Sequence, residues 1–159
     1  KQIGNELACG LQIGKQTVNA IYDWDNYSTY YHKDLLGANN NIIISSPVIS
    51  GPKVYELINL LKEKQMSGVQ ITIVTWSPDS YRFGDAAYWM QLHEDMRQAG
   101  FYIKTVEESC ERFAVIDQEV VWYGNINLLA KDKVDDSIMR VLSKEIASEL
   151  MEITFGDNG

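Results

Sequence analysis

The sequence predicts an α/β domain in which helices cover both faces of a mixed β-sheet. Short apolar runs alternate along the chain with longer segments of helical periodicity. Several runs are continuously apolar, as expected of strands that are buried on both faces. Near the C-terminus, two such runs are separated by a tight turn, which indicates an antiparallel hairpin. The 159 residues suffice for one domain of this kind.

The first half of the chain alternates strands with helices. Its predicted elements are a strand at 17–23, a helix at 25–38, a strand at 40–47, a helix at 51–68 and a strand at 69–76. The first helix places Tyr27, Tyr31 and Leu35 on one face at four-residue spacing, and Gly37 ends it. The second carries an apolar face formed by Val54, Leu57, Ile58 and Leu61.

The second half ends in a hairpin, a strand and a helix. Its predicted elements are a helix at 86–100, a strand at 101–106, strands at 112–117 and 119–124, a strand at 137–142 and a helix at 143–155. The hairpin turns at Asp117 and Gln118. Ser143 is at an N-cap position of the last helix, whose apolar face is expected at Ile146, Leu150 and Ile153.

Composition narrows the function classes. The net charge of −8 argues against a strong non-specific grip on nucleic acid or anionic membrane. Cys9 and Cys110 form no disulfide framework, and no Cys/His cluster suggests a zinc site, so we expect a reducing, cytoplasmic setting. We also expect no cofactor. No apolar run is long enough to span a membrane.

Residues 1–16 are Gly-rich and predicted as a linker or flexible arm before one domain at 17–159. The absence of an initial Met suggests a piece of a longer or processed chain.

One stretch has a distinctive spacing: CERFAVIDQEVVWYGNIN, from Cys110 to Asn127. Its pattern is Cys-x-Arg, four residues, Asp, six residues and Gly-Asn-x-Asn. This resembles the phospholipase D superfamily, whose pattern is His-x-Lys, four residues, Asp, six residues and Gly-Ser-x-Asn. Every spacing is kept, whereas Cys110, Arg112 and Asn125 replace the family's His, Lys and Ser.

The surrounding order of strands and helices supports the same resemblance, which covers roughly residues 26–155. The segments FAVIDQEVVWYGNINLL and SIMRV look most like the phospholipase D-like domain at the C-terminus of some bacterial ATP-dependent helicases. The resemblance implies an α/β/α sandwich with a mixed sheet. It also implies DNA or RNA as partner and a helicase motor on the same parent chain. A homodimer is the family's usual way of completing its site.

The resemblance also assigns roles to the residues of the stretch. Cys110, Arg112 and Asp117 stand at the catalytic positions, and Arg112, Asn125 and Asn127 at phosphate-binding positions, with no metal. In the family, one His attacks phosphorus and a second His protonates the leaving oxygen. A Cys replaces the general acid poorly, and neither His32 nor His93 matches that place. We therefore expect the usual mechanism to be broken, with Arg112 still able to bind phosphate through two donors.

Each candidate residue also has a structural interpretation. Cys110 could simply fill the space of the lost His, and Arg112 could form a salt bridge with Glu111, Asp117 or another neighbour. Asn125 and Asn127 could cap a turn, and Asp117 is expected to hold one. Either Asp135 or Asp136 matches a later carboxylate position loosely.

Aromatic residues raise a second question, because some of them could stack on bases. Trp89 and Trp122 are interpreted as core residues. Trp76 and Tyr81 flank a predicted loop after a strand and are weak ligand candidates. His32 belongs to a Tyr-His-Lys-Asp run on a predicted helix, where consecutive side chains diverge, so it is read as a surface or packing residue.

Three functions remain open at this point. The first is a catalytically impaired module that binds nucleic-acid phosphodiesters beside a helicase motor. The second is a protein-interaction or structural domain whose old site is packed. The third is a metal-independent nuclease or phosphodiesterase that uses Cys110.

Overall fold

The computed structural model describes residues 20–80, 86–107, 110–130 and 136–156. The predicted arm at 1–16, Tyr81 and Asp135 lie outside these residues. Within them, strands and helices follow each other in the predicted order. The strands are β1 (Ala20–Asp23), β2 (Asn41–Ser45), β3 (Gln70–Trp76), β4 (Tyr102–Val106), β5 (Phe113–Ile116), β6 (Val120–Gly124) and β7 (Ser137–Leu142). The helices are α1 (Tyr27–Leu36), α2 (Gly51–Met66), α3 (Ala86–Gln98) and α4 (Lys144–Phe155), with a short 3-10 turn at Pro78–Ser80.

The described strands form one mixed sheet in the order β1-β7-β6-β5-β2-β3-β4. Strands β2, β3 and β4 are parallel and are connected through α2 and α3, as short βαβ units require. The other neighbouring pairs are antiparallel. The predicted mixed sheet is confirmed.

The sheet separates two apolar layers. On one face, α1, α2 and α3 pack against alternate sheet residues such as Ile42, Ile44 and Trp122. On the other, α4 packs through Ala147 and Leu150 against the intervening residues. Two-sided burial explains why β2 and β5 are continuously apolar in sequence. The architecture is the predicted α/β/α sandwich.

Helix α1 buries the predicted stripe of Tyr27, Tyr31 and Leu35. Helix α4 differs from the prediction, because it buries Ala147 and Leu150 while Ile146 and Ile153 are 40% and 69% exposed. Only a narrow stripe of residues three positions apart, Ala147 and Leu150, faces the sheet, so the apolar side chains on either side of it remain in solvent. The predicted cap is confirmed, since Ser143 Oγ accepts a hydrogen bond from the Ile146 N–H at 3.1 Å.

A three-residue turn at 117–119 joins β5 to β6 at the predicted place. Asp117 and Gln118 both adopt left-handed backbone angles, with φ of 56° and 58°. Such a turn matches the right-handed twist of the two strands that it connects. The hairpin therefore fixes the spacing between the residues before β5 and those after β6.

Candidate functional site

The candidate site lies at one edge of the sheet, by which we mean the edge formed by strand ends, where β2 and β6 end and β5 begins. Ser45 ends β2, Phe113 begins β5 and Tyr123 lies next to the end of β6, and these three residues are cross-strand neighbours. Cys110 and Arg112 precede β5, while Asn125 and Asn127 follow β6. The antiparallel pairing of β5 and β6 thus brings both ends of the motif to the same edge.

The Arg112 side chain is held by an amide. Its Nε donates a hydrogen bond to Asn127 Oδ1 at 2.9 Å, and both residues are half-buried. Among the described residues, Arg112 forms no ion pair with a carboxylate, so the alternative of a salt bridge to Glu111 or Asp117 is absent there. An oriented guanidinium whose charge is not compensated by a neighbouring carboxylate is suited to bind a phosphate oxygen pair.

Two backbone contacts fix the loop that carries Asn127. The Leu129 N–H donates to Ser46 Oγ at 3.1 Å, and the Ser50 N–H donates to the Leu129 carbonyl at 2.8 Å. Ser46 is completely buried and also donates to the Val48 carbonyl at 2.8 Å. Because these bonds tie the loop to the segment between β2 and α2, Asn127 is held against Arg112. Sequence reasoning missed Ser46, although two polar residues at the end of a buried apolar strand were a usable signal.

Cys110 is half-buried and packs against the apolar layer on the α4 side of the sheet. Its Sγ lies 3.5 Å from Ser45 Oγ, which donates a hydrogen bond to the Glu111 carbonyl at 2.6 Å. Burial raises the pKa of the Cys110 thiol and Glu111 adds to the rise, whereas Ser45 and Arg112 act in the opposite direction. The thiol is therefore protonated at neutral pH, which makes it a weak nucleophile.

Glu111 places a negative charge near the same edge. The Tyr123 hydroxyl donates to Glu111 Oε1 at 2.8 Å, and this hydrogen bond raises the pKa of Tyr123. An anion near Cys110 disfavours the thiolate further. The edge thus has a cationic part at Arg112 and an anionic part at Glu111.

Gly124 and Asn125 have separate roles. A Cβ at Gly124 would overlap the Ser137 carbonyl oxygen and lie 2.6 Å from Ile138 Cα, so glycine here permits the close approach of β7. Asn125 is exposed, and its backbone N–H donates to the Ser137 carbonyl at 3.1 Å. No hydrogen bond joins its side-chain amide to another described residue, which leaves that amide facing solvent.

The structure does not bring Asp117 to this cluster. Asp117 lies in the hairpin turn at the opposite edge, where its carboxylate accepts hydrogen bonds from the N–H groups of Asn39, Asn40 and Asn41 at 2.7–3.1 Å. The four residues of β5 lie between Arg112 and Asp117, which places the two residues about 16 Å apart along the strand. Its position agrees with the expectation that it holds the turn and not with its assignment to the catalytic group.

The remaining candidates are spread over the molecule. Trp122 is buried, and Trp89 packs against the same core, in agreement with their structural interpretation. Trp76 is half-buried at the end of β3, and Asp136 is half-buried beside β7. His93 is 2% exposed within α3, and burial lowers the pKa of both His93 and His32.

The described ranges contain neither a metal-binding cluster nor a membrane-spanning helix. They contain no group of three or more His, Cys, Asp or Glu side chains placed to hold a metal ion. No helix within them combines the length and the apolar character that crossing a bilayer requires.

A family model described as "Cardiolipin synthase, PLD-like domain" matches residues 31–155, which is more than half of the chain. The chain belongs to the phospholipase D superfamily. The match begins within α1 and ends at the last residue of α4, so it includes the complete candidate site. No curated protein sequence matches the chain.

Solved structures show the same fold at low sequence identity. Nuc, a phospholipase D family member from Salmonella typhimurium, is 14% identical with a TM-score of 0.67, covering 86% of this chain and 90% of Nuc. NucT from Helicobacter pylori is 10% identical with a TM-score of 0.61, covering 86% and 92%. TrmBL2, an archaeal chromatin protein described as showing a novel mode of DNA binding, is 12% identical with a TM-score of 0.60, covering 87% and 51%. At these identities the likeness establishes the fold of the phospholipase D-like domain.

Proposed function

We propose that this phospholipase D-like domain binds nucleic-acid phosphodiesters without cleaving them. The observation that carries the proposal is the Arg112 guanidinium, oriented by Asn127 and not paired with a carboxylate in the described residues. Half-burial strengthens its attraction for an anion relative to a fully exposed cation. The exposed Asn125 amide, two residues before Asn127, supplies a further donor at the same edge.

Impaired catalysis follows from the group that stands in place of the family's histidine. Burial keeps the Cys110 thiol protonated, and its Sγ is close to the Ser45 hydroxyl, which is itself bonded to a backbone carbonyl. Neither group is a general base that could activate a nucleophile or a water molecule. A nuclease that uses Cys110 in a homodimer would have to cleave in excess chelator and lose that activity in Cys110→Ala.

The parent context is proposed from the resemblance alone. We place this domain at the C-terminal side of an ATP-dependent helicase motor in a bacterial cytoplasm, where it would hold the strand that the motor moves. A Walker A lysine in the full-length chain tests this context directly. A full-length chain without a nucleotide-binding motif would refute it.

The test of binding is fluorescence anisotropy with labelled single-stranded and duplex DNA, and with RNA, at low and physiological salt. Because a cation such as Arg112 binds phosphate by displacing counterions, we expect binding to weaken as the salt concentration rises. The net charge of −8 acts against binding and makes the local cation at Arg112 more important. Arg112→Ala should weaken binding about tenfold or more, the usual effect of losing a charged hydrogen bond.

The matched control is Arg97→Ala. Arg97 is exposed on α3 and pairs with Glu94 at 3.8 Å, so its removal changes the net charge equally but leaves the site intact. Equal affinity of the two variants would refute the site. An isolated domain that binds no nucleic acid even at low salt would favour a protein-interaction role instead.

That second function has one observation in its favour. Ile21, Met139 and Tyr123 are direct neighbours across β1, β7 and β6 on one face of the sheet, and they are 74%, 40% and 36% exposed. An apolar row of this kind is suited to contact another protein. Ile21→Lys would abolish such a contact, which can be followed by sedimentation of the chain with its partner or with itself.

A further inference from the structure

The first turn of α2 contains a glycine where the helix alone would not favour one. Gly51 is the first residue of α2, and glycine lowers helix stability relative to alanine. A Cβ at Gly51 would overlap the Tyr88 hydroxyl oxygen and lie 3.4 Å from Tyr88 Cζ. The glycine therefore makes room for Tyr88, which reaches from α3 to the N-terminal end of α2.

This end of α2 adjoins the Arg112 site. Ser50 precedes Gly51, and its N–H donates to the Leu129 carbonyl in the loop that carries Asn127. Asn127 in turn accepts the hydrogen bond from Arg112 Nε. Tyr88 and Arg112 are thus connected through one short loop and one helix terminus.

Tyr88 also has an exposed ring near this edge. It is 45% exposed, and its only described ring contact is a tilted one with Trp89 at 5.4 Å. In contrast, the Trp24 ring already has a cation over it, since the Lys53 ammonium lies 5.8 Å from the ring centre. The Tyr123 hydroxyl is hydrogen-bonded to the Glu111 carboxylate, which repels phosphate. Trp76 is half-buried.

We propose that Tyr88 stacks on an unpaired base of the strand whose phosphate Arg112 binds, so that the site selects single-stranded over duplex nucleic acid. This inference rests on the proposed phosphodiester binding. The bases of a duplex stack on one another and offer no open face, whereas an unpaired base offers its face to an aromatic ring. Because every base has such a face, the selection is for strandedness and not for sequence.

The experiment compares labelled oligothymidine with a duplex of equal length by fluorescence anisotropy at low salt. Tyr88→Ala should weaken binding of the single strand about 5- to 150-fold, the range found for one base stacked on one aromatic residue. Tyr88→Phe keeps the ring and should bind as the unaltered chain does. Duplex affinity should change less than about twofold in both variants, since the duplex offers no base to stack.

Two further variants separate stacking from folding. Tyr102→Ala removes a tyrosine that is 57% exposed at the start of β4, the opposite edge of the sheet, and should leave binding unchanged. Gly51→Ala should displace Tyr88 and weaken single-strand binding, but much less in the Tyr88→Phe background, where the overlapping oxygen is absent.

If Tyr88→Ala lowered the affinity for both probes equally, or for neither, the stacking role of Tyr88 would be refuted. The phosphate site would still stand if Arg112→Ala lowered the affinity. If Arg112→Ala had no effect, the proposed function would fail and the selectivity with it.

Discussion

Two half-buried arginines, Arg140 and Arg112, lie in or beside the same sheet and have opposite surroundings. Arg140 in β7 is paired with Asp34 through two bonds, Nε to Oδ2 at 2.6 Å and a terminal nitrogen to Oδ1 at 3.0 Å. Asp34 also accepts the indole N–H of the buried Trp122 at 2.8 Å. Arg112 is held by the neutral amide of Asn127.

The difference separates a structural cation from one that is open to a ligand. Arg140 and Asp34 neutralise each other and join α1 to β7, the neighbour of the edge strand β1, so they have no charge left to attract a phosphate. Asn127 orients Arg112 without cancelling its charge. The partner of an arginine, more than its burial, therefore indicates whether it can bind an anion.

The largest expected effect comes from breaking the Arg140 pair. Asp34→Ala leaves both the Arg140 guanidinium and the Trp122 indole N–H without their acceptor, which should lower the free energy of unfolding by about 3 kcal/mol. Arg112→Ala should lower it by less than about 1 kcal/mol, since no charge is left unpaired. Urea unfolding measures both values, with the exposed Asp79→Ala as control. Similar losses in Asp34→Ala and Arg112→Ala would contradict the comparison.

Asp117 provides the next largest effect and separates two residues of the same motif. Asp117→Asn keeps a side chain that tolerates the left-handed turn but removes the charge that accepts three backbone N–H groups. The free energy of unfolding should fall by about 2 kcal/mol. DNA affinity, measured by anisotropy below the unfolding transition, should not change. Weaker DNA binding by the folded variant would return Asp117 to the site.

A single change should convert the Arg112 environment into one like that of Arg140. Asn127→Asp preserves the shape of the side chain and gives Arg112 a carboxylate partner. We expect DNA affinity to fall about tenfold, because the paired cation attracts phosphate less. Asn59→Asp, an exposed change on α2 that makes the chain equally more acidic, is the control for net charge. Matching losses in the two variants would mean that Asn127 has no particular role.

The smallest effect concerns Cys110, on which only one of the two arginines acts. Arg112 lowers the pKa of the thiol, against the larger effect of burial that raises it. Arg112→Ala should therefore move the pKa upward, and alkylation by iodoacetamide should require a higher pH than in the unaltered chain. The pH dependence of the alkylation rate, measured in a Cys9→Ser background, gives the shift. Arg140→Lys should leave it unchanged, and an equal shift there would show a general effect of the fold.

Sequence patterns were sufficient to predict the elements and the sheet class, because both follow from periodicity and turn residues. The stripe of α1 and the hairpin at Asp117 are local features of this kind. The resemblance to the phospholipase D superfamily implied that Arg112 and Asn127 belong to one site, and the structure joins them directly.

What could not be predicted depends on long-range packing. The hydrogen bonds from the N–H groups of Asn39, Asn40 and Asn41 to Asp117 join residues 76 to 78 positions apart, which spacing along the sequence does not show. The contact between Tyr88 and Gly51 joins two helices that are separated by a strand, and neither residue stands out locally. The burial of Ala147 instead of Ile146 depends on how α4 is rotated against the sheet.

The anchoring of Asp117 and Gly124 has a consequence for how such motifs are recognised. Asp117 is fixed by three N–H groups at one end of the hairpin, and Gly124 by the backbone of β7 at the other. The number of residues between them, six, is therefore fixed by the length of β6 and its turn. A chain with this fold needs the same interval whether or not it catalyses a reaction. Matching the spacing of the motif therefore identifies the fold. Only the identity of the residues at the catalytic positions indicates whether the reaction takes place.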